Sequence, residues 1–170
     1  MTQDLLYSVF KTSAGWMGIL GSPAGLRCTT LPQPSEKAAV NLIVKEVANS
    51  ARTTEHFLDL IANFEAYFSG RKVEFPNALD DSGFTSFQRG VWEVTRQIPY
   101  GRTRSYGWVA RQIGKPHAAR AVGQALGRNP FPIIVPCHRV LAGDGGLGGF
   151  SGGLDMKKSL LKLEKAAAIK

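Results

Sequence analysis

Near the middle of the chain, residues 71–83 carry Pro76, Asn77, Asp80, Asp81 and Gly83 and show neither helical nor alternating apolar spacing. Just beyond this stretch the charge changes sign. Residues 1–85 hold seven basic and nine acidic side chains, net −2, whereas residues 86–170 hold fourteen basic and four acidic, net +10. A break of this kind does not sit inside one continuous core. The 170 residues therefore read as two small domains, 1–75 and 84–170, with a linker over 76–83. A basic half joined to a mildly acidic half implies that the C-terminal part meets a polyanion, nucleic acid above all. A merely solvated basic surface is the plain alternative.

Composition removes several classes. With 44% hydrophobic and 20% charged residues, the chain is neither a disordered tail nor a disulfide scaffold. No apolar stretch approaches the roughly 20 residues needed to span a bilayer, so no membrane partner is expected. The start, Met1-Thr2-Gln3-Asp4, lacks a basic region followed by an apolar one, and no secretory signal is expected. Cys28 and Cys137 sit far apart in unlike surroundings, which fits a reduced, cytoplasmic protein, or a nuclear one in a eukaryote.

The first thirty residues predict a short β-meander: Leu5–Lys11, a turn at Ser13-Ala14-Gly15, Trp16–Leu20, a turn at 21–25, and Leu26–Thr30. Ser35 can cap a helix through Ala48, with Ala39, Leu42, Ile43 and Val47 on its apolar face. Thr54 opens a second helix with Phe57, Leu58, Ile61, Phe64, Tyr67 and Phe68 as its stripe. None of these residues carries evident chemistry, so this half reads as a packing scaffold.

In the basic half, Thr85-Ser86-Phe87-Gln88 has the spacing of a capping box and opens a helix with Phe87, Val91, Trp92 and Val94 apolar. Ser105 caps a short helix with Trp108, Val109 and Ile113 inward, and Gly114 ends it. Pro116 then sits in the first turn of a second helix, His117–Leu126. Helix, short glycine turn, helix is the arithmetic of a helix-turn-helix, which many helical hairpins share. With Val122 and Leu126 inward, the second helix presents Arg120, Ala121 and Gln124, flanked by Ala118 and Gly123. A helix reading the wide groove of DNA normally bears several long polar side chains. Small residues instead admit the backbone to a narrow groove and leave Arg120 as the one long cation. The other reading is that alanine simply favours helix and Arg120 meets a phosphate.

Pro130-Phe131-Pro132-Ile133-Ile134-Val135-Pro136 suits a buried extended segment, and Cys137-His138-Arg139-Val140 follows at once. A cysteine on such a rigid support, beside a proton acceptor and a positive charge, has what a reactive thiolate needs. The inert alternative is a small buried hydrophobe. In extended chain His138 would point away from the sulfur, so reaching it needs a turn or a bridging water. Asp144, Asp155 and Glu164 are the carboxylates able to orient the imidazole. Cys28, His56 and His117 read as structural or surface residues. With no Cys-x-x-Cys and no paired histidines, no metal and no cofactor are expected. The glycine-dense stretch 142–153 lacks Gly-Lys-Ser/Thr and reads as a pocket wall, with Phe150 able to pack on a flat ligand and Ser151 able to donate. Met156–Lys165 closes the domain as a helix through Leu160, Leu161 and Leu163.

Pro136-Cys137-His138-Arg139-Val140 is similar to the active-site signature of the O6-alkylguanine-DNA alkyltransferases, the methylated-DNA–protein-cysteine methyltransferases. Ile98-Pro99-Tyr100-Gly101, Ser105-Tyr106, Ala119-Arg120-Ala121-Val122-Gly123, Asn129-Pro130 and Phe150-Ser151-Gly152-Gly153-Leu154 resemble the family in order and spacing. The match is strong over 84–165 and loose over 1–75. The resemblance implies an α+β fold: a small N-terminal β-meander, ribonuclease-H-like domain with helices, and a C-terminal helical winged-helix-like domain carrying the helix-turn-helix. It implies a monomer that turns O6-alkylguanine out of double-stranded DNA and moves the alkyl group irreversibly to its own Cys137. His138 would take the thiol proton through a water, Glu164 would orient His138, and Asn129 would brace the segment. Tyr106 would help evert the nucleotide and donate to the base, and Arg120 would fill the gap. Ala121, Gly123 and Gln124 would face DNA, Phe150 and Ser151 the base, and the carbonyls of Cys137 and Val140 the guanine amine. A non-catalytic helix-turn-helix damage-binding module or regulator, and a cysteine hydrolase, are the rival readings.

Overall fold

The computed structural model describes residues 4–47 and 49–169, with side chains given outside 44–47 and 166–169. Met1–Gln3, Lys170 and Ala48, the expected end of the first helix, lie outside the described residues. The chain forms two compact units, Met1–Ser82 and Gly83–Lys170. No helix among the described residues is long and apolar enough to cross a membrane.

In the first unit, β1 (Leu5–Thr12), β2 (Gly15–Ser22) and β3 (Gly25–Thr29) form the expected antiparallel meander. Its first turn is tight: Thr12 faces Gly15, and the Thr12 hydroxyl accepts from Ala14 N–H at 3.1 Å. Helix α1 (Glu36–Val47) follows, its first turn capped by the Ser35 hydroxyl accepting from Ala38 N–H at 3.1 Å. The chain then enters β4 (Ser50–Arg52), which the sequence reading missed. Three residues are too few to show an alternation. What forms β4 is its parallel pairing with β1, reached by the α1 crossover and giving the order β3-β2-β1-β4. A single 3-10 turn (Glu55–Phe57) leads into α2 (Leu58–Phe68), and the Thr54 side chain makes no cap bond. Ala39 and Ile43 are buried as expected, but Leu42 is 60% exposed and Leu58 55% exposed, so the apolar faces are narrower than the spacing suggested. The core gathers Met17, Ile19, Leu20, Phe64 and Tyr67, with the Phe64 ring 4.9 Å from that of Phe75. Residues 78–80 run along the outer edge of β3. Leu26 N–H donates to the Ala78 carbonyl at 2.9 Å and Asp80 N–H to the Leu26 carbonyl at 2.7 Å. Gly25, at φ +143°, is required there, because a Cβ would stand 2.6 Å from the Ala78 oxygen.

In the second unit, α3 (Ser86–Arg96) opens with the full capping box. Gln88 N–H donates to Thr85 Oγ1 at 3.1 Å and Thr85 N–H to Gln88 Oε1 at 3.0 Å. Val91, Trp92 and Thr95 form its buried face. Thr95 fills the place expected of Val94 by donating its hydroxyl to the Val91 carbonyl at 2.7 Å. Trp92 is the hub, its indole N–H donating to the Ala125 carbonyl at 3.0 Å. After β5 (Arg104–Ser105) come α4 (Tyr106–Gln112), capped by Ser105, and α5 (Ala119–Gly127). Helix α5 begins two residues later than expected, and Pro116 and His117 lie in the preceding turn. Its inner face is Val122, Ala125 and Leu126, leaving Arg120, Ala121 and Gln124 exposed. A 3-10 turn over Cys137–Arg139 runs into β6 (Val140–Leu141), parallel to β5, and α6 (Leu154–Ile169) closes the unit.

Candidate active site

The segment from α5 to Cys137 is a folded knot, not the extended run its prolines suggested. Val135 N–H donates to the Phe131 carbonyl at 2.8 Å, and Ile133 between them has φ +74°. It is the only non-glycine residue at positive φ among the described residues. A β-branched residue there costs on the order of 1–3 kcal/mol and persists only where its surroundings impose it. Asn129 imposes it. Its Oδ1 accepts from Phe131 N–H at 2.8 Å, and its Nδ2 donates to the Val135 carbonyl at 2.9 Å and to Cys137 Sγ at 3.3 Å. Pro136, at φ −79° and ψ 65°, then makes an inverse γ-turn closed by Cys137 N–H on the Val135 carbonyl at 2.7 Å. The 3-10 turn that follows sets successive side chains about a third of a revolution apart. His138 is thus not thrown to the far side of the sulfur, as it would be in extended chain.

Behind Cys137 stands Glu164. Its carboxylate meets His138 Nε2 at 2.7 Å and accepts from Arg139 Nε at 3.0 Å, Arg139 Nη2 at 2.8 Å and Gly101 N–H at 3.2 Å. Asp144 and Asp155, the other carboxylates weighed for this place, are exposed, and Asp144 accepts from Gly146 N–H instead. Burial alone would raise the Glu164 pKa, but the hydrogen bonds from His138 and Arg139 hold it at about 2. Burial pushes the His138 pKa down against the pull of Glu164, so the imidazole is neutral. An ionised carboxylate only accepts, so Nε2 carries the hydrogen and Nδ1 is the basic nitrogen.

Arg139 lends nothing to the sulfur. Its guanidinium faces Glu164 and donates from Nη1 to the Ile98 carbonyl at 2.8 Å. Cys137 is only 7% exposed, and burial pushes its thiol pKa up, against the Asn129 hydrogen bond and the charge of Lys157. The expectation of a thiolate favoured by Arg139 is therefore corrected: the resting sulfur is a thiol, and the cation acting on it is Lys157. Sequence reading missed Lys157. Its signal was the spacing Lys157, Leu160, Glu164, which are the residues α6 buries among those whose side chains are described, whereas Leu161 and Leu163 are only half-buried.

In front of the sulfur opens a cavity of about 890 Å³, to which Cys137, Tyr106, Arg120, Gly123, Gln124, Phe150 and Ser151 all contribute. Asn129, His138 and Glu164 form the layer behind it. Ala121 stands on the outer face of α5, and Val140 is fully buried. The Val140 carbonyl already accepts from Lys157 Nζ at 2.8 Å, and the Cys137 carbonyl from Val140 N–H, so each has one lone pair left for a ligand. Tyr106, first residue of α4, donates its hydroxyl to the Gly149 carbonyl at 3.4 Å. Burial, and after it the nearby Cys137, raise its pKa, so it remains a donor. Two glycines make room for its ring. A Cβ on Gly123 would touch it at 3.6 Å, and one on Gly148, itself at φ +67°, would sit 2.6 Å from the hydroxyl oxygen. Gly148→Ala is therefore expected to displace Tyr106 and slow any chemistry in the cavity by roughly tenfold or more, equivalent to about 1.4 kcal/mol of barrier. Single-turnover kinetics check this, and an unchanged rate would show that the ring has no fixed place. Among the described residues no three His, Cys, Asp or Glu side chains gather to hold a metal ion.

Comparison with known proteins accords with this geometry. Residues 86–166 match the family model described as 6-O-methylguanine DNA methyltransferase, DNA binding domain. The chain is 41% identical over 161 residues to the methylated-DNA–protein-cysteine methyltransferase of Methanosarcina acetivorans, covering 94% of this chain and 98% of that one. It is 53% identical over 109 residues to that of Mycobacterium leprae, covering 64% of this chain and 66% of that one. The crystal structure of Mycobacterium tuberculosis OGT in complex with DNA superposes with a TM-score of 0.79 at 39% identity, over 95% of this chain and 94% of that one. The likeness runs through both units and includes the cysteine-bearing turn, and the chain belongs to the methylated-DNA–protein-cysteine methyltransferase family.

Proposed function

We propose that the chain repairs double-stranded DNA by taking the alkyl group of an everted O6-alkylguanine onto Cys137 Sγ, once per molecule. What supports this reading most is the placement of a cysteine sulfur at the base of a cavity large enough for a purine, with a neutral histidine and an ionised glutamate behind it. The sulfur has to approach the alkyl carbon opposite the departing oxygen, a line that a stacked, paired base does not offer, so the nucleotide is turned out first. The thiol proton passes to His138 Nδ1 through a water. The S–C bond forms as the C–O6 bond breaks, and the electron pair goes to O6. Guanine regains a proton, so the overall step neither gains nor loses one. Charge developing on the purine is met by the Tyr106 hydroxyl and by Ser151. Asn129 keeps the turn rigid. Arg120 occupies the space left in the stack, and Ala121, Gly123 and Gln124 allow α5 to come close to a groove. Net +10 over residues 86–170 makes the binding tight, indifferent to sequence and sensitive to salt. The protein acts as a monomer, in the cytoplasm or nucleus according to where the DNA lies.

Intact-protein mass after mixing with O6-benzylguanine or a methylated duplex tests the reading. One alkyl group per molecule at Cys137 is expected. An unmodified thiol with retained DNA binding would point to a non-catalytic module, and repeated turnover to a hydrolase. Arg120→Ala is expected to slow repair of duplex by roughly tenfold or more while the reaction with O6-benzylguanine base stays about the same, because only duplex requires extrusion, a cost of about a few kcal/mol. Equal losses on both substrates would remove Arg120 from the extrusion step.

A further inference from the structure

The glycine-rich stretch after β6 has two faces. Ala142, Gly143 and Gly149 line the reactive cavity. Leu141, Gly145 and Leu147 look the other way, into a second hollow of about 600 Å³ that shares no lining residue with the first. Its floor is apolar: Leu141 at the end of β6, Leu147 from the returning loop and Leu161 from α6, all half-buried. Thr103 and Gly145 close one side. The other side is a row of exposed lysines, Lys158, Lys162 and Lys165.

Helical spacing accounts for the arrangement. Lys157, Leu160 and Glu164 are the buried stripe of α6, so Leu161 falls at its border and the three lysines just beyond. From 158 to 165 the helix advances about 10 Å, and three ammonium groups stand along a trough of that length. Among the described residues no carboxylate lines it. Asp144 and Asp155 lie outside it, and Glu164 is turned inward to His138 and Arg139.

An apolar floor with a border of one charge marks a surface that another molecule covers. Duplex DNA does not suit it. A phosphate backbone gains nothing from leucines, and the hollow lies behind the wall of the cavity that faces the base. The cations lining that cavity are arginines, Arg111 and Arg120, whose fixed forks grip phosphate. Those of the hollow are all lysines, point charges on flexible stems that adapt to carboxylates spaced along a chain. A flat bilayer does not reach a floor set below its lysine border, and a small amphiphile has too few anionic groups for a row of this length.

We propose that the hollow between β6 and α6 is a docking groove for a short acidic segment of a partner protein. The segment seats bulky apolar side chains on Leu141, Leu147 and Leu161 and sets carboxylates against Lys158, Lys162 and Lys165. Exposed ion pairs add little apiece. The apolar anchors hold the segment, and the lysines select its sign and register. Because groove and cavity occupy opposite faces of one loop, the protein carries its partner and receives a ligand in the cavity at the same time.

The test selects a displayed library of random twelve-residue peptides on the full-length protein and, in parallel, on the Lys158→Glu, Lys162→Glu, Lys165→Glu triple variant. Peptides enriched on the unaltered protein alone are expected to combine several acidic residues with at least one Leu, Ile, Phe or Trp. The leading peptide should bind in fluorescence anisotropy with a Kd on the order of 10–100 μM. Replacing its apolar residues by serine, or its acidic ones by their amides, should weaken it by about tenfold or more. A second measurement needs no variant. The peptide is expected to shift the methyl resonances of Leu141, Leu147 and Leu161, and a saturating duplex should leave its affinity within about threefold at ~0.15 M salt, where repulsion between the two anions is screened. No enrichment, equal enrichment on a folded triple variant, binding through charge alone, or unshifted leucine methyls overturns the proposal. So does displacement by the duplex, which would make the lysines phosphate contacts, and so does a lysine-dependent dimer in sedimentation velocity, which would give the groove to a second copy. Benzyl transfer to Cys137 is read on the same preparations. A protein that binds the peptide but takes no alkyl group would sink the functional reading and leave the groove standing.

Discussion

The Cys137→Ala protein is expected to gain no mass on incubation with O6-benzylguanine, where the unaltered protein gains one benzyl group per molecule. The other lining groups able to attack carbon are the hydroxyls of Ser105, Tyr106 and Ser151, all poor nucleophiles at neutral pH. Loss of the acceptor should therefore lower the rate by at least about 10³-fold, as when the attacking group of a catalytic set is removed. Binding to an alkylated duplex should change little, because the substitution leaves the cavity, the α5 face and the charge of the unit intact. Mass spectrometry and fluorescence anisotropy on one preparation read both outcomes. Alkyl uptake at any other residue would show that the cavity serves something else.

Glu164→Gln is expected to unfold the second unit far more easily, by about 3–5 kcal/mol, because it leaves the buried Arg139 guanidinium without a counter-charge. The substitution also frees His138 to take either tautomer, since an amide both donates and accepts. Transfer should slow by about 10²-fold or more, the scale of a mispositioned general base. The pH dependence separates the two effects. A carboxyl held at about 2, against an ordinary 4.5, adds stability that is fully present above pH 4.5 and is lost as pH falls from there towards 2. That is ~3 kcal/mol at about 1.4 kcal/mol per unit. Urea melts at pH 7 and pH 3 should thus show a steep acid loss for the unaltered protein and a shallower one for Glu164→Gln. Equal stability of the two proteins at pH 7 would mean that the buried pair adds nothing.

What could be read from the chain was what short range decides. The capping box at Thr85, the Ser105 cap, the meander and the small-residue face of α5 all depend on neighbours within about four positions, and all are present. What escaped depended on distant partners. Three residues form β4 because β1 lies alongside, not because of any pattern of their own. Ile133 adopts a backbone angle that its side chain disfavours, because Asn129 grips the chain on both sides of it. Arg139 resembled a partner for the sulfur by adjacency, yet Glu164, twenty-five positions on, claims it. Lys157 drew no notice within the closing helix, yet it is enclosed by three carbonyls, one from β6 and two from a glycine-rich loop with no regular spacing. The site residues were legible as a set because several motifs agreed. Their electrostatics were not, since charge is settled by which groups burial brings face to face.

The strip 78–80 along β3 has a bearing on abundance. A protein spent in a single reaction has to be kept in stock, and a crowded stock punishes any ribbon of unpaired amides that can recruit a sister molecule. Here one flank of the sheet is hemmed by the protein's own chain and the other ends in a strand of three residues. Neither border offers a length of backbone on which copies could pile up, so the protein can be held in quantity without clumping through its sheet edges.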